Sequence, residues 1–246
     1  MWNDPRQLGG ISLALAVMAA ALALWGALSW AVRQPAFAFH EVVVTTKLTH
    51  ASGAHLESVV REELAGTLFT LDLERAKHAL IQVPWVRSIG LRRQWPGRLE
   101  IEVEEHMPLA RWNDDGLVNT RGELFIADWN GDLPQFIGPD GESALMSARY
   151  REWNAMLAPL SLAVRTLTLS ARGGWQVGAA GAEEKLTIEL GRDDPAGRLA
   201  RFVAAHDRTI ARLARSGQPV TTVDLRYRNG FAARVPSFRE KPTKKT

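Results

Sequence analysis

Cysteine is entirely missing from the sequence, and this absence excludes three kinds of chemistry together. Without a thiol the chain can form no disulfide, no thiolate zinc site and no cysteine nucleophile. A chain without cysteine is compatible with an extracytoplasmic domain that folds without a disulfide.

Neither sign of charge dominates the chain. The formal net charge is +3 over 246 residues, and the basic residues are scattered apart from Lys241, Lys244 and Lys245 near the end. Such a tail is more typical of a solvated terminus than of a nucleic-acid surface. The tryptophans do not alternate with basic residues in one strip either. We therefore predict that nucleic acid is not a partner.

The motifs of common catalytic and metal sites are missing as well. The six histidines include no pair at the i, i+4 spacing with which a helix binds zinc. There is no Gly-x-Ser-x-Gly elbow and no phosphate loop of the Gly-x4-Gly-Lys type. The pairs Asp114-Asp115 and Asp193-Asp194 suit a turn and a helix start, where carboxylates cap free N–H groups. We predict no enzyme activity, no metal site and no cofactor.

One long uncharged run is present, from Gln7 to Val32. About 20 apolar residues in a helix cross a bilayer core, and this run exceeds that length. We therefore predict a short tail at residues 1–7 and a transmembrane helix at residues 8–32. Two alternatives are a buried core helix and a cleaved signal peptide. Ala36-Phe37-Ala38 resembles a cleavage site, but cleavable apolar regions are usually shorter.

Residues 39–106 form the first predicted domain. A β-branched strand starts near His40, and alternating apolar residues predict two more strands around the turn Trp95-Pro96-Gly97. Helical spacing predicts helices at 56–64, stopped by Gly66, and at 73–81 behind the N-cap residue Asp72. The predicted order is strand, helix, helix, strand, strand. The last two strands form a hairpin, and both helices cover one face of a small sheet.

Residues 107–236 form the second predicted domain, a mostly antiparallel β domain with two helices. The predicted elements are a hairpin at 117–126, a loop at 133–141, a helix at 150–158, strands at 164–170, 174–177 and 185–190, one long helix from 195 to 217, and strands at 220–227 and 231–235. The last two strands flank Asn229-Gly230, a strong two-residue hairpin signal. The tail at 237–246 is predicted to be flexible and basic. The predicted fold class is α+β.

The last predicted strand is also the last ordered element of the chain. A strand at a sheet edge presents unpaired N–H and C=O groups, which can accept a strand from another protein. The residues alone leave two interpretations open. The edge is either closed to partners by the basic tail, or it is a docking site for β-augmentation.

The landmarks, taken in order, resemble a known family. They are Pro84-Trp85-Val86, then Leu91-Arg92-Arg93-Gln94-Trp95-Pro96, then Leu99-x-Ile101-x-Val103-x-Glu105-x-x-Pro108-x-Ala110-Arg111-Trp112, then Arg172 with Trp175, and finally Asp224-Leu225-Arg226-Tyr227 before Asn229-Gly230. Each motif is weak alone, whereas the ordered set resembles the FtsQ/DivIB family of bacterial cell-division proteins. The resemblance implies that the first domain is a POTRA domain and the second the family's β domain.

The resemblance also implies a location and a role. It implies one span in the inner membrane, a cytoplasmic amino terminus and a periplasmic body at the division septum. Members of the family are scaffolds without a known reaction. They bind FtsB and, with it, FtsL, link early and late division proteins, and help to control septal peptidoglycan synthesis. Other division proteins are expected to contact the POTRA domain or the transmembrane helix.

Carried over by motif, the resemblance places the FtsB contact on the last strands. The expected partner-binding residues are Arg172, Arg226, Tyr227, Asn229, Gly230, Phe231, Ala233 and Val235. We expect an FtsB strand beside Phe231–Val235, an acidic partner residue at Arg172, and ring contact at Tyr227. The sequence departs from well-studied members at Asn229, where serine is common, and near Val235, where an aromatic residue is common.

Two other classes of function compete with a division scaffold. A POTRA-type chaperone or assembly module would have several POTRA repeats and a barrel of alternating strands. A membrane-anchored periplasmic enzyme would have a defined pocket with converging ionisable groups.

Overall fold

A computed structural model describes residues 5–32, 34, 41–63, 71–114, 116–182, 184–228 and 230–236. The chain divides into two compact units, Met1–Glu105 and His106–Thr246. The predicted tails at 1–7 and 237–246 lie wholly or mostly outside the described residues.

The first unit begins with helix α1, Pro5–Val32. Its section Gly10–Val32 is the one candidate membrane span among the described residues, by length and hydropathy. No residue of its most apolar stretch is buried inside the protein. A helix that is apolar on all sides and has no protein packed around it is not a core helix, so the structure disfavours that alternative.

The rest of the first unit has the predicted order of strands and helices. Its elements are β1 Glu41–Val44, α2 Gly53–Glu63, α3 Leu73–Ile81, β2 Val86–Gln94 and β3 Arg98–Glu105. The sheet order is β1-β3-β2, with β1 parallel to β3 and β2 antiparallel to it. The predicted hairpin is therefore confirmed. His40 and the predicted helix stop at Gly66 lie outside the described residues.

Local sequence explains why these elements form. Oδ1 of Asp72 accepts hydrogen bonds from the backbone N–H groups of Glu74 and Arg75, both at 3.1 Å, and this caps α3 as predicted. In β3 the apolar residues Leu99 and Ile101 are buried while their neighbours are not. The alternation places one apolar face of the sheet against the helices, as the period of a strand requires.

The second unit contains one mixed sheet. Its strands are β4 Pro108–Trp112, β5 Gly116–Asn119, β6 Leu124–Phe125, β7 Gln135–Ile137, β8 Ala163–Leu169, β9 Trp175–Ala180, β10 Lys185–Gly191, β11 Thr222–Asp224 and β12 Ala232–Arg234. Among the described residues the strand order is β12-β11-β10-β9-β8-β7-β4-β5-β6. Most neighbouring pairs are antiparallel, and the predicted hairpin at 117–126 is present as β5 and β6.

Helices α4 Ser143–Leu157, α5 Pro195–His206 and α6 Ile210–Arg215 complete the unit, with a short 3-10 helix at Ala158–Leu160. The core joins helix and sheet residues that are completely buried, among them Trp153, Phe202 and Ile188. Oδ1 of Asp194 accepts a hydrogen bond from the Gly197 N–H at 3.0 Å. This carboxylate therefore caps α5, as the sequence predicts.

The predicted loop at 133–141 is wrong in its centre. Residues 135–137 form β7, which lies inside the sheet and pairs in parallel with both β4 and β8. Phe136 is fully buried there. The two prolines and two glycines that suggested a loop only flank this short strand. Gly138 is needed for close packing, because a Cβ at this position would lie 2.5 Å from Sδ of Met146.

The helix predictions in this unit are partly wrong. Helix α4 begins at Ser143, well before the predicted start at 150. The predicted single helix from 195 to 217 is two helices, α5 and α6. The hydroxyl of Thr209 donates to the Ala205 carbonyl at 2.7 Å, and the Thr209 N–H bonds to His206 instead. The helical hydrogen-bond ladder is interrupted at this point.

The last two predicted strands do pair in antiparallel orientation, but the predicted turn between them is wrong. The final residue pair between β11 and β12 is Asp224 with Ala232, so the connection is much longer than a two-residue Asn229-Gly230 turn. The Leu225 N–H donates to the Glu189 carbonyl at 2.9 Å, and the Arg226 N–H donates to Oδ1 of Asp224 at 3.0 Å. These bonds turn the chain out of β11 before residue 227.

Candidate partner-binding edge

Strand β12 ends the sheet of the second unit. It pairs with β11 on one side, and no strand among the described residues pairs with its other side. Its three residues, Ala232, Ala233 and Arg234, are all exposed. Alanine side chains are small, so they leave the backbone of this edge open to an approaching chain.

The register shows which backbone groups point outward. The Arg234 carbonyl accepts a hydrogen bond from the Thr221 N–H at 3.0 Å, so the backbone of Arg234 faces β11. In an antiparallel pair, successive residues of an edge strand alternate between facing the partner and facing away. The N–H and C=O of Ala233 therefore face the outer edge, where a further strand would bond.

The residues on either side of β12 attach it to the core. Phe231 and Val235 are half-buried and pack against the core cluster. The Phe231 ring lies edge-on to Phe202, with 6.2 Å between the ring centroids. These two predicted site residues thus hold the strand in place from within. Asn229, another predicted site residue, lies outside the described residues.

A groove of about 310 Å³ lies beside this edge. Helix α5 forms one wall, and the connection between β11 and β12 forms the other. The lining residues are Arg198, Arg201, Phe202, Ala205, Leu225, Tyr227, Arg228, Gly230 and Phe231. The described lining combines arginine with aromatic rings and contains no carboxylate. Tyr227 is 59% exposed. Such a lining suits a partner segment that carries both an acidic and an apolar side chain.

Arg226 lies at the start of the same connection and is bonded to Asp224. Its Nε donates to Oδ1 of Asp224 at 2.9 Å and its Nη2 donates to Oδ2 at 2.6 Å. These hydrogen bonds from Arg226 hold the pKa of Asp224 below its ordinary value. The same bonds raise the pKa of Arg226. The pair is a bidentate ion pair on the surface of the unit.

Arg172 is placed by a different turn. It lies between β8 and β9, in a turn closed by a 2.8 Å hydrogen bond from the Gly173 N–H to the Ser170 carbonyl. It is exposed, and it lies at the end of the sheet where β10 finishes. Strands β9, β10 and β11 separate the turn that contains Arg172 from β12. The structure therefore brings Tyr227, Gly230 and Phe231 together, with Arg172 apart from them.

Sequence reasoning missed several residues of this region. Arg198, Arg201 and Arg228 line the groove, and Asp224 holds Arg226. The bond between Asp224 and Arg226 forms where the chain turns out of β11, since the Arg226 N–H also donates to Oδ1 of Asp224 at 3.0 Å. For the arginines of α5, the only sequence signal of a surface position was that they lie mostly off the apolar stripe of the helix.

A second pocket of about 490 Å³ lies elsewhere in the unit, near Asp114, Asp128 and Trp129. Its arginine, Arg111, donates from Nη2 to the Trp129 carbonyl at 2.7 Å. Within the described parts of the chain, no group of three or more His, Cys, Asp or Glu side chains is placed to hold a metal ion. We assign no chemistry to this pocket.

Comparisons with known proteins match both units. Residues 37–106 match the POTRA domain, FtsQ-type, and residues 110–226 match the family described as cell division protein FtsQ/DivIB, C-terminal. The chain is 37% identical to cell division protein FtsQ of Burkholderia pseudomallei, over 97% of this chain and 96% of the relative. It is 36% identical to FtsQ of Bordetella pertussis, over 94% and 92%. It is 35% identical to FtsQ of Nitrosospira multiformis, over 95% and 99%. The chain belongs to the FtsQ/DivIB family of bacterial cell-division proteins.

Proposed function

We propose that this chain is a non-catalytic scaffold of the division machinery that captures FtsB, and with it FtsL, by adding a strand of FtsB to β12. The observation that carries the proposal is the open outer edge of β12. FtsQ relatives that align over nearly their whole length support the division role. Through this capture the scaffold would link early and late division proteins and help to control septal peptidoglycan synthesis.

Strand addition accounts for the character of the edge. Backbone hydrogen bonds supply affinity in this mode of recognition, and side chains that flank the strand supply specificity. The outward N–H and C=O of Ala233 would form the central pair of bonds. Phe231 and Val235 hold the strand against the core, so the edge is in place before the partner arrives. A preformed edge lowers the ordering cost of binding.

Side chains around the edge would select the partner. Tyr227 offers an exposed ring and hydroxyl next to the groove, and aromatic rings in such positions are frequent binding hot spots. Arg172 and Arg226 offer positive charge at the same end of the sheet but on different strands, and separate acidic residues of FtsB would pair with them. We assign Asn229 and Gly230 to the same contact from their place in the connection that precedes β12.

Helix α1 would anchor the scaffold. We propose that it crosses the inner membrane once, with its amino terminus in the cytoplasm and both folded units in the periplasm. This arrangement fits a run of this length and hydropathy. It would place β12 in the compartment of the periplasmic part of FtsB. The POTRA unit and α1 remain available for other division proteins.

The competing functions fit the chain less well. An assembly module of the outer-membrane type would have several POTRA repeats, whereas one POTRA match covers residues 37–106 and the FtsQ/DivIB C-terminal match follows at residues 110–226. A periplasmic enzyme would need converging ionisable groups in a pocket, whereas the described groove beside β12 offers only arginines as charged groups.

The proposal is tested by removing one outward donor. Proline at Ala233 fits strand backbone angles but lacks the N–H, so Ala233→Pro keeps the pairing of Arg234 with β11 and deletes a bond to the partner. The assay is binding of the FtsB periplasmic segment to the full chain in lipid nanodiscs. We expect a loss of at least 10-fold in affinity, since proline also clashes with an added strand.

Ala233→Val is the matched control, because valine also enlarges the side chain but keeps the N–H. It should bind FtsB like the wild-type chain. Unchanged affinity for proline placed singly at each position from Phe231 to Arg234, in variants that remain folded, would reject strand addition.

A further inference from the structure

Asp224 occupies only one side of the Arg226 guanidinium. Its two oxygens bond Nε and Nη2, which form one edge of the planar group. A guanidinium has five N–H donors in a fixed plane, so the edge formed by Nη1 and Nη2 points away from Asp224. The Arg226 side chain is 60% exposed, which leaves this second edge accessible.

The aliphatic stem of Arg226 is held as well. It passes over Gly191, the last residue of β10, and a Cβ built on Gly191 would lie 3.0 Å from Cγ of Arg226. Gly191 has φ of +70°, a conformation that side-chain-bearing residues rarely adopt. Contacts at both the stem and the head thus restrict a side chain that would otherwise move through many rotamers.

We propose that Asp224 is a positioning residue, which fixes Arg226 so that its outer Nη1–Nη2 edge is presented to a carboxylate of the segment that pairs with β12. The inference rests on the proposed function and deepens it, because it identifies the residue that orients the hydrogen-bond donor for an acidic side chain of the partner. A guanidinium already held in its binding orientation loses less conformational entropy when the partner arrives.

The charges around the pair favour such a carboxylate. Asp224 and Glu189 are the carboxylates that act on Arg226, while Arg198, Arg201 and Arg228 line the adjoining groove. Arg198 donates from Nη1 to the Leu190 carbonyl at 2.6 Å, so it is fixed close to the pair. Arg201 forms an ion pair with Asp194, Nη1 to Oδ2 at 3.9 Å. The other three arginines, Arg198, Arg226 and Arg228, still outnumber the two carboxylates Asp224 and Glu189, so an acidic side chain meets net attraction.

The test uses Asp224→Asn in the full chain in nanodiscs, with the FtsB periplasmic segment as the probe. Asparagine keeps an oxygen that can accept the Arg226 backbone N–H, so the turn after β11 can persist. We expect affinity to fall roughly 3- to 10-fold, the cost of ordering one long side chain on binding. The loss should disappear when Asp224→Asn is combined with Arg226→Ala. It should also be small in an Arg226→Lys chain, because lysine has no second planar edge to orient.

Asp132→Asn is the matched control. It removes the partner of an exposed ion pair of similar length, Arg165 Nη1 to Asp132 Oδ2 at 2.6 Å, at a site away from β12. It should leave FtsB affinity unchanged, and both variants should melt within a degree or two of the wild-type chain.

Two results would overturn the inference. One is an Asp224→Asn chain that binds FtsB as tightly as the wild-type chain or more tightly, as expected if Asp224 merely competes for Arg226. The other is an equal loss in the Arg226→Ala background, which would indicate a purely structural effect. Failure of the proposed function is distinguishable, because it would appear as unchanged binding by the Ala233→Pro chain. Loss of binding with Ala233→Pro but not with Asp224→Asn would refute the positioning role alone.

Discussion

The carboxylate of Glu105 fastens the segment 49–51 to the end of β3, and Glu105→Gln tests the strength of this connection. The carboxylate accepts hydrogen bonds from the N–H groups of Thr49 at 3.0 Å, His50 at 3.2 Å and Ala51 at 2.8 Å. Only 12% of the side chain is exposed. Burial raises the pKa of Glu105, but the three N–H bonds to the charged form outweigh it, and the pKa lies below its ordinary value.

The expected effect follows from these bonds. A hydrogen bond to a charged group contributes about 1.5–3 kcal/mol, and an unsatisfied buried donor costs about 1–3 kcal/mol. Glutamine keeps one acceptor oxygen but turns an NH₂ group toward backbone donors. We therefore expect Glu105→Gln to lower the local stability of the segment by about 2–3 kcal/mol.

The pH dependence has a definite sign. Because the folded pKa is lowered, the stabilisation is fully present above the ordinary pKa of a glutamate and is lost as the pH falls through the lowered folded value. The difference in stability between the wild-type and Glu105→Gln chains should therefore shrink over this acidic range.

Amide hydrogen exchange of residues 49–51 in the full chain measures the effect. A loss of about 2 kcal/mol corresponds to exchange roughly 30-fold faster at neutral pH. Glu102→Gln is the matched control, because Glu102 lies on the same strand but is exposed. Equal exchange rates in the two variants would show that Glu105 does not fasten this segment.

Three further predictions concern the second unit. Phe136→Ala should lower the free energy of unfolding by about 3–5 kcal/mol, measured by denaturant titration, because Phe136 is fully buried in β7; loss below about 1 kcal/mol would argue against its core position. Tyr227→Ala should weaken FtsB binding about 10-fold at an unchanged melting temperature, since the ring is exposed; unchanged affinity would remove it from the contact. Arg172→Glu should weaken binding most at low salt, whereas Arg172→Lys should retain most of it; a salt-independent effect would contradict an ionic role.

The POTRA unit was predictable from sequence because its signals are local. The N-cap at Asp72 needs only the next helical turn, and the alternation in β3 follows from its burial on one face. The predicted limits of α3 and the predicted order of all five elements are therefore correct. The start of α2 was less well marked, because it lies ahead of Leu56, the first large apolar residue of the helix.

Nonlocal contacts explain the errors in the second unit. Strand β7 is too short for a periodic signal, and it is a strand because β4 and β8 bond it from both sides. The interruption between α5 and α6 depends on one hydroxyl, that of Thr209. The early end of β11 depends on the Glu189 carbonyl and the Asp224 side chain. A single sequence does not show that these groups are neighbours.

The sequence predicts where in the chain the candidate site lies, but it does not predict how the residues of the site are arranged around it. The place of the last strand in the chain predicted that it would be a sheet edge, and β12 is one. The groove beside it requires α5 to pack next to the connection between β11 and β12, which no local pattern shows. The bond between Asp224 and Arg226 likewise depends on side-chain geometry.

Hydrogen exchange at the Ala233 amide, with and without bound FtsB, tests strand addition most directly. The outward N–H should exchange quickly in the free chain and much more slowly when the FtsB periplasmic segment saturates it. An Ala233 amide that exchanges as quickly in the saturated complex, while amides elsewhere become protected, would contradict capture at β12.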